Sequence, residues 1–267
     1  MAMKILFVGD IVGSPGREML ADYLPKMKKI YQPDAIIVNG ENATNGKGLN
    51  EKHYHELIRL GVQVITMGNH TFAKKQIFDY IDENARIIRP ANYPKETPGV
   101  GYTYIEVGKQ KLAVINIQAR TFMPSLDCPF TIIDKILQEI DANTWIFVDF
   151  HGEATSEKIA MGWYLDGRVH AVVGTHTHVP TADARILPKG TAYITDVGMT
   201  GPYDAVLGVS KEKVLEKFIT ALPVHFEVDT IGRTQLCAVL IKLDEKSRRA
   251  IQIQQILINP DHPFIGS

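Results

Sequence analysis

The chain has 267 residues, of which 45% are hydrophobic and 22% charged, a composition typical of globular proteins that excludes an intrinsically disordered chain. Its formal net charge is −1, so the broad basic surface of proteins that bind nucleic-acid backbones is not expected. We therefore expect no stable complex with duplex nucleic acid. A small phosphate-bearing ligand stays compatible with this charge, because bound metal cations would add local positive charge.

Cysteine content and hydropathy bear on the compartment. Only Cys128 and Cys237 are present, without a CxxC spacing, so neither a disulfide framework nor a thiolate zinc site is favoured. No apolar run approaches the roughly 18 residues of a membrane span, and the first residues lack the pattern of a signal peptide. We expect a single domain over residues 1–267, in the cytoplasm and without a membrane partner. A homo-oligomer is expected because such assemblies are common, although no motif indicates one.

In the first half, short aliphatic runs alternate with segments of helical period, which predicts a βαβ series. Ser14 followed by Pro15 predicts a helix start with the serine as cap, and Pro25 should bend or end that helix. Strands are predicted at residues 4–8, 35–38 and 62–67, and amphipathic helices at 51–60 and 74–83.

The middle and the second half add antiparallel pairs, so the sequence predicts a mixed α/β fold. A Gly108-Lys109 turn between two alternating runs predicts a hairpin. From Val224 onward, alternating segments predict antiparallel strands that close the second half. The predicted segments are hairpin strands at 102–107 and 112–117, a helix at 132–140, strands at 145–150 and 169–173, and further strands around Phe226, at 236–241 and at 251–257.

Five of the apolar runs end in polar side chains that can bind metals. In an open α/β sheet, the carboxyl ends of neighbouring strands form one rim where ligands bind, so these side chains should meet there. Oxygen and nitrogen donors without a thiolate suit iron, manganese or zinc better than calcium. Six such donors exceed one tetrahedral site, which predicts two metals sharing a carboxylate. The donors are Asp10, Glu41, Asn69, His151, His176 and His178.

The order of these blocks resembles the calcineurin-like metallophosphoesterase superfamily, whose strand-end motifs are DxH, GDxxD, GNH followed by an acid, a lone His, and GHxH. Val12, Glu41 and Thr71 depart from that pattern at a metal-binding His, the bridging Asp and the acid after GNH. The blocks read Asp10-Ile11-Val12, Gly40-Glu41-Asn42, Gly68-Asn69-His70-Thr71, His151 and Gly174-Thr175-His176-Thr177-His178.

The same departures are similar to the YmdB-like branch, a group of bacterial proteins with phosphodiesterase activity toward 2′,3′-cyclic nucleotides. This resemblance spans nearly the whole chain. It implies a four-layer α/β/β/α sandwich of mixed sheets with the metal site at strand carboxyl ends, and a di-iron centre for which manganese or zinc are alternatives. Asn42 would add a contact on the side that Val12 leaves open. One metal would use Asp10, Glu41 and His178, and the other Glu41, Asn69, His151 and His176.

The resulting hypothesis is an enzyme that hydrolyses a phosphodiester, a 2′,3′-cyclic nucleotide by resemblance, with a hydroxide bridging two metals as the nucleophile. His70 follows a ligand without being needed for the metal count, so we assign it as the catalytic acid for the leaving oxygen. A hydrogen bond from His70 to the substrate phosphate is the simpler role. A phosphomonoesterase or nucleotidase on the same site, and a non-catalytic metal-bound regulatory scaffold, are the alternative functions.

Several residues near these blocks also have purely structural interpretations. Asp149 and Asp196 either orient histidines or make local strand-end bonds. The segments Thr121-Phe122-Met123 and Gly198-Met199 either line the substrate pocket or pack in the core. Taken singly, the acids could cap helices, the asparagine could form a turn, and the histidines could be satisfied or surface imidazoles. Only their combination favours a metal site.

Overall fold

The computed structural model describes residues 2–264, which fold into two mixed β-sheets with helices on their outer faces. The strands are β1 Ala2–Val8, β2 Asp10–Ile11, β3 Ala35–Asn39, β4 Val64–Thr66, β5 Ile87–Ile88, β6 Tyr102–Val107, β7 Gln110–Gln118, β8 Trp145–His151, β9 Ala171–Thr175, β10 Arg185–Ile186, β11 Ala192–Ile194, β12 Met199–Pro202, β13 Thr234–Asp244 and β14 Arg249–Ile258. The helices are α1 Gly13–Tyr31, α2 Glu51–Arg59, α3 Pro129–Glu139, α4 Thr155–Leu165 and α5 Lys211–Thr220, with a short 3-10 helix at Lys75–Asp79.

The first sheet has the order β2-β12-β13-β1-β3-β4-β5, with β14 also paired to β13. Its β1, β3, β4 and β5 run parallel, whereas β13 is antiparallel to β1. The second sheet has the order β10-β11-β9-β8-β7-β6, and its four central strands run parallel. Because parallel neighbours end on the same edge, the polar residues that follow them are collected at one rim of each sheet.

Alternating side chains on the central strands build three apolar cores. In β1, Leu6 and Val8 face the core shared with α1 and α2, whereas Ile5 and Phe7 face the second sheet. In β8, Phe147 packs against Phe7 across the two sheets, with ring centroids 5.3 Å apart. The opposite face of β8 packs on α3 and α4. These layers confirm the four-layer α/β/β/α sandwich of mixed sheets.

The sequence predicted that the C-terminal strands close the second half of the chain, and this prediction is wrong. They join the first sheet instead, where β13 lies between β12 and β1 and aligns Ala2 with Asp244 at one end of the register. The segment around Phe226 forms no strand. Alternation identified the two long strands but carried no information about which sheet they would enter.

Two helix predictions also need correction. The helix α1 begins at Gly13 with Val12 as its cap, so Ser14 lies inside the first turn and makes no cap bond. This helix also continues through Pro25 to Tyr31, because residues on both sides of the proline are buried against the first sheet. The predicted helix at 74–83 is reduced to the short 3-10 helix. Within residues 2–264, no helix combines the length and apolarity needed to cross a membrane.

The placement of β13 can be tested with two isoleucines on adjacent strands. Ile241 on β13 is fully buried between the sheets, whereas Ile251 on β14 is 55% exposed. We expect Ile241→Ala to lower the free energy of unfolding by about 2–5 kcal/mol, and Ile251→Ala by less than about 1 kcal/mol. Urea denaturation of both variants measures the difference, and equal losses would contradict the central position of β13.

Candidate metal centre

The two sheets bring their polar rims together at one place. From the first sheet come Asp10 in β2, the loop after β3 with Glu41, and the loop after β4 with Asn69. From the second sheet come His151 at the end of β8 and the loop after β9 with His176. Residues 141 positions apart in the chain, Asp10 and His151, therefore share one site. Packing of the two sheets, and not either sheet alone, assembles it.

The tightest group consists of a buried carboxylate and two imidazoles. Ligand atoms of Glu41, His151 and His176 all lie within 4.8 Å of one another. The Nε2 atom of His151 lies 3.2 Å from Glu41 Oε1, 3.0 Å from Asn69 Oδ1 and 3.1 Å from His176 Nδ1. Four nitrogen and oxygen donors thus converge on one small volume.

A second group lies beside the first. The Oδ1 atom of Asp10 is 3.8 Å from His178 Nε2 and 3.5 Å from Asn42 Nδ2. Asn42 Nδ2 is also 3.4 Å from Glu41 Oε1, so the carboxylate of Glu41 adjoins both groups. Glu41 therefore lies between the two groups, and Asn42 lies beside the second.

His70 lies at the exposed side of this cluster, with 28% of its side chain accessible. Its backbone N–H donates to Glu41 Oε2 over 2.9 Å, and its Nδ1 lies 2.8 Å from Asn42 Oδ1. An Nδ1–H donated to this amide oxygen leaves Nε2 as the free ring nitrogen. The side chain is therefore anchored at the site while one nitrogen remains available to a ligand.

The hydrogen-bond network assigns the tautomer of each imidazole. Thr175 Oγ1 donates to Asp149 Oδ1 over 2.7 Å, so its oxygen accepts from His151 Nδ1–H over 2.9 Å. In the neutral ring this leaves the lone pair on His151 Nε2, the atom that faces Glu41. A histidine oriented by a carboxylate through its outer nitrogen is the usual arrangement at metal sites. Asp149 therefore orients His151 indirectly, through the hydroxyl of Thr175.

The other two histidines follow the same rule. His176 Nε2 lies 3.2 Å from Glu153 Oε2, and His178 Nδ1 donates to the carbonyl of Leu207 over 3.0 Å. The remaining nitrogen of His176, Nδ1, faces His151, and that of His178, Nε2, faces Asp10. Each of the three rings thus uses its outer nitrogen for a protein partner and turns its inner nitrogen into the cluster.

The loop that carries His176 and His178 is held in a strained conformation. Their φ angles are 101° and 65°, in the left-handed region that costs non-glycine residues about 1–3 kcal/mol each. Between them, the N–H and hydroxyl of Thr177 donate to the buried carboxylate of Asp196 over 3.0 and 2.7 Å. Lys158 neutralises this carboxylate over 2.7 Å. Asp196 thus fixes the loop backbone and contacts neither histidine ring.

The site's electrostatics change the pKa values of its members. Burial raises the pKa of Asp10, and burial together with the neighbouring His151 lowers the pKa of His176 to about 3. Burial also opposes ionisation of Glu41, but the charge and hydrogen bond of His151 hold the pKa of this carboxyl well below its usual value. Burial favours a lower pKa for His151, but the charge and hydrogen bond of Glu41 have the larger effect and raise the pKa of His151 to about 9. Positive charge is therefore favoured beside Glu41.

Gly68 shows that this volume is kept clear of side chains. A Cβ atom at position 68 would lie 2.4 Å from Glu41 Oε2 and from His151 Nε2, so any other residue would intrude on the donors. The adjacent Gln118 is fully buried, and neither polar atom of its amide has a partner within the described part of the chain. The donor types, their tautomers and the clear volume all fit bound metal ions.

The structure thus brings together all seven residues predicted as ligands and the predicted acid, His70. Their metal binding stays a prediction. Sequence reasoning missed Thr175, Glu153 and Leu207, which orient the histidines, because a hydroxyl, an exposed acid and a backbone carbonyl carry no motif. Of the pocket-wall segments, Met199 is buried in the core, whereas Phe122 is 88% exposed on the loop after β7.

Substitution of Thr175 tests the role of its hydroxyl. We expect Thr175→Val to weaken metal binding roughly 10–100-fold, because His151 loses the partner of Nδ1 and Asp149 loses a donor. Thr175→Ser keeps the hydroxyl and should bind like the wild type. Metal content after dialysis against graded metal concentrations measures the effect, with circular dichroism as a check on folding. Equal occupancy in the valine and serine variants would refute this role.

Comparison with known proteins agrees with this geometry. The chain is 58% identical over 263 residues to a 2′,3′-cyclic-nucleotide 2′-phosphodiesterase of Bacillus subtilis, covering 98% of this chain and 99% of that protein. A novel phosphatase from Mycoplasma pneumoniae has a similar structure, with a TM-score of 0.92 and 38% identity over 98% of this chain and 96% of that one.

A hypothetical protein from Thermus thermophilus is also similar, with a TM-score of 0.91 and 41% identity over 96% of this chain and 99% of that one. The fold alone is shared with a nucleotidase of Haemophilus influenzae, at a TM-score of 0.60 and 13% identity over 97% of this chain and 56% of that one. The model of the YmdB-like protein family matches residues 6–256. The chain therefore belongs to the YmdB-like family of metallophosphoesterase-fold proteins.

Proposed function

We propose that this protein is a metal-dependent phosphodiesterase that hydrolyses 2′,3′-cyclic nucleotides. The observation that carries the proposal is the convergence of three imidazoles, each held by the protein through its outer nitrogen, beside the buried carboxylates of Asp10 and Glu41. The high identity to the Bacillus subtilis enzyme over the whole chain supports the substrate class.

The proposed centre holds two metal ions, with iron as the native metal and manganese or zinc as alternatives. Asp10, Glu41 and His178 would bind one ion, with Asn42 beside it. Glu41, Asn69, His151 and His176 would bind the other. When bound, such ions supply an activated water and stabilise negative charge on phosphate oxygens.

His70 is the proposed catalytic residue. With its Nδ1–H held by Asn42, the protonated ring of His70 would give its Nε2 proton to the leaving ribose oxygen. The nucleoside would extend from the site toward the loop after β7, where Phe122 is exposed next to the strand that carries Gln118. An aromatic side chain in this position suits stacking on a base.

The same residues work, in this proposal, as one domain of residues 1–267 in the cytoplasm. The pairing of β13 with β1, and of β14 with β13, supports one domain, because it joins the two ends of the chain in one sheet. The free thiols of Cys128 and Cys237 are consistent with a reducing compartment.

Turnover of 2′,3′-cyclic AMP tests the proposed activity. We expect hydrolysis by the metal-loaded protein, loss on chelation and recovery on reloading with iron or manganese. His70→Ala should lower kcat by roughly 10²–10⁴-fold with metal content unchanged, because the leaving oxygen loses its proton donor. His55→Ala is the matched control, since His55 is exposed on α2 and pairs with Glu51.

The alternatives predict different results in the same assay. A phosphomonoesterase would prefer p-nitrophenyl phosphate over the cyclic nucleotide. A non-catalytic regulatory scaffold would turn over neither substrate when fully metallated. A wild-type kcat in His70→Ala would remove this residue from the mechanism while leaving the metal-dependent reaction intact.

We also propose that the protein forms a homo-oligomer through α5. Large apolar side chains on this helix and just after it are exposed to an extent that is unusual for a monomer. They are flanked by Lys217 and Glu212, so two antiparallel copies of α5 would place opposite charges together. The exposed side chains are Leu215, Phe218, Ile219 and Leu222, with Phe218 and Ile219 each 81% accessible.

Replacement of Phe218 by aspartate tests this interface. We expect the wild type to sediment as an oligomer at micromolar concentration and Phe218→Asp to sediment as a monomer, because the apolar contact would acquire buried charges. Ile251→Asp, at an exposed position on β14, should leave the oligomer intact. A monomeric wild type throughout this concentration range would overturn the proposal.

A further inference from the structure

A cavity of about 320 Å³ lies at the amino ends of β8 and β9, the end of these strands opposite to the candidate metal centre. No acidic residue lines it. This contrasts with the near-neutral charge of the whole chain, so positive groups are locally concentrated here. The basic residues in its wall are Arg168, His170, Lys189, Arg248 and Arg249.

Arg248 forms a fixed part of this cavity. Its guanidinium lies 3.9 Å from the ring centroid of Trp145, and one of its nitrogens donates to the carbonyl of Thr144 over 3.2 Å. Among residues 2–264, no carboxylate forms an ion pair with it, and burial lowers its pKa. A half-buried guanidinium without a counter-ion is unfavourable, and a bound anion would remove that cost.

His170 adds a second fixed donor. Its Nδ1 accepts the backbone N–H of Ile146 over 3.0 Å, so the neutral ring carries its proton on Nε2. Burial, together with the charge of Arg248, lowers the pKa of His170 to about 4. The ring is therefore neutral near pH 7 and serves the cavity as a hydrogen-bond donor.

Lys189 and Arg249 are exposed cations at the rim. Both are exposed, and within the described residues neither side chain has a hydrogen-bond or ion-pair partner. Arg168 is bound to Asp134 over 2.5 Å, so it adds less free charge than the others. Gly190, at φ 103°, brings the β10–β11 turn against Arg249, since a Cβ there would lie 2.7 Å from that side chain.

We propose that this cavity binds a small anion carrying more than one phosphate group. Guanidinium groups bind phosphate oxygens through paired N–H donors, and the two exposed cations at the rim offer charge to further oxygens. The volume is at the lower end of the range for ligand pockets. No exposed aromatic ring lines the wall, so the cavity offers contacts for phosphates and none for stacking a base.

Equilibrium titration with inorganic pyrophosphate tests this site on the metal-loaded full-length protein, with metal content measured before and after. We expect the wild type to bind pyrophosphate with an affinity that falls as salt increases. The double variant Lys189→Gln, Arg249→Gln should bind at least about tenfold more weakly, because it loses two charge-assisted hydrogen-bond donors at the rim of the cavity. Both residues are exposed, so the variant should fold normally.

A matched double variant, Lys52→Gln with Arg59→Gln, removes the same charge from the exposed face of α2. It should bind pyrophosphate like the wild type. Equal binding by all three proteins would show that pyrophosphate binds only at the metal centre and would overturn the proposal. Equal weakening in both double variants would also overturn it, because it would reduce the effect to overall charge.

Discussion

The structure depends most on burying two carboxylates, Asp10 and Glu41, which are 0% and 1% exposed. Removing a charged group from water costs on the order of several kcal/mol unless positive charge and hydrogen bonds replace the water. The protein surrounds Glu41 with His151, the N–H of His70 and the amide of Asn42. His151 meets part of this cost, because Glu41 raises its proton affinity. Bound cations would meet it more completely, and this is the physical basis for a metal centre.

Two sheets are needed because neither sheet alone supplies both the two carboxylates and the three imidazoles of the site. The first sheet brings both carboxylates to its rim, while the second brings His151 and the loop of His176 and His178. The inter-sheet core, with Phe7 against Phe147, therefore sets the separation between carboxylates and imidazoles. A substitution in that core would alter the site without contacting it. The packing that stabilises the fold therefore also fixes the geometry of the site.

Sequence alone predicted the strands that carry the site, because buried parallel strands read as continuous aliphatic runs that stop at a polar residue. It did not predict that β13 would enter the first sheet, since alternation is the same whichever partner a strand has. The helix at 74–83 was reduced to a 3-10 turn, although its period favoured an α-helix. The YmdB-like family, the fold and the hydrolytic class were predicted correctly by resemblance.

Orientation of the histidines was the feature that sequence could not reveal. Thr175 looks like an ordinary strand residue until the structure places it between Asp149 and His151. Asp196 was predicted either to orient a histidine or to make a local bond, and the structure shows the local bond, to Thr177, together with an ion pair to the buried Lys158. The strained φ angles of His176 and His178 require such a support, because a loop free to relax would leave the left-handed region. The buried Lys158–Asp196 pair therefore holds the backbone of this loop in the conformation that orients both imidazoles.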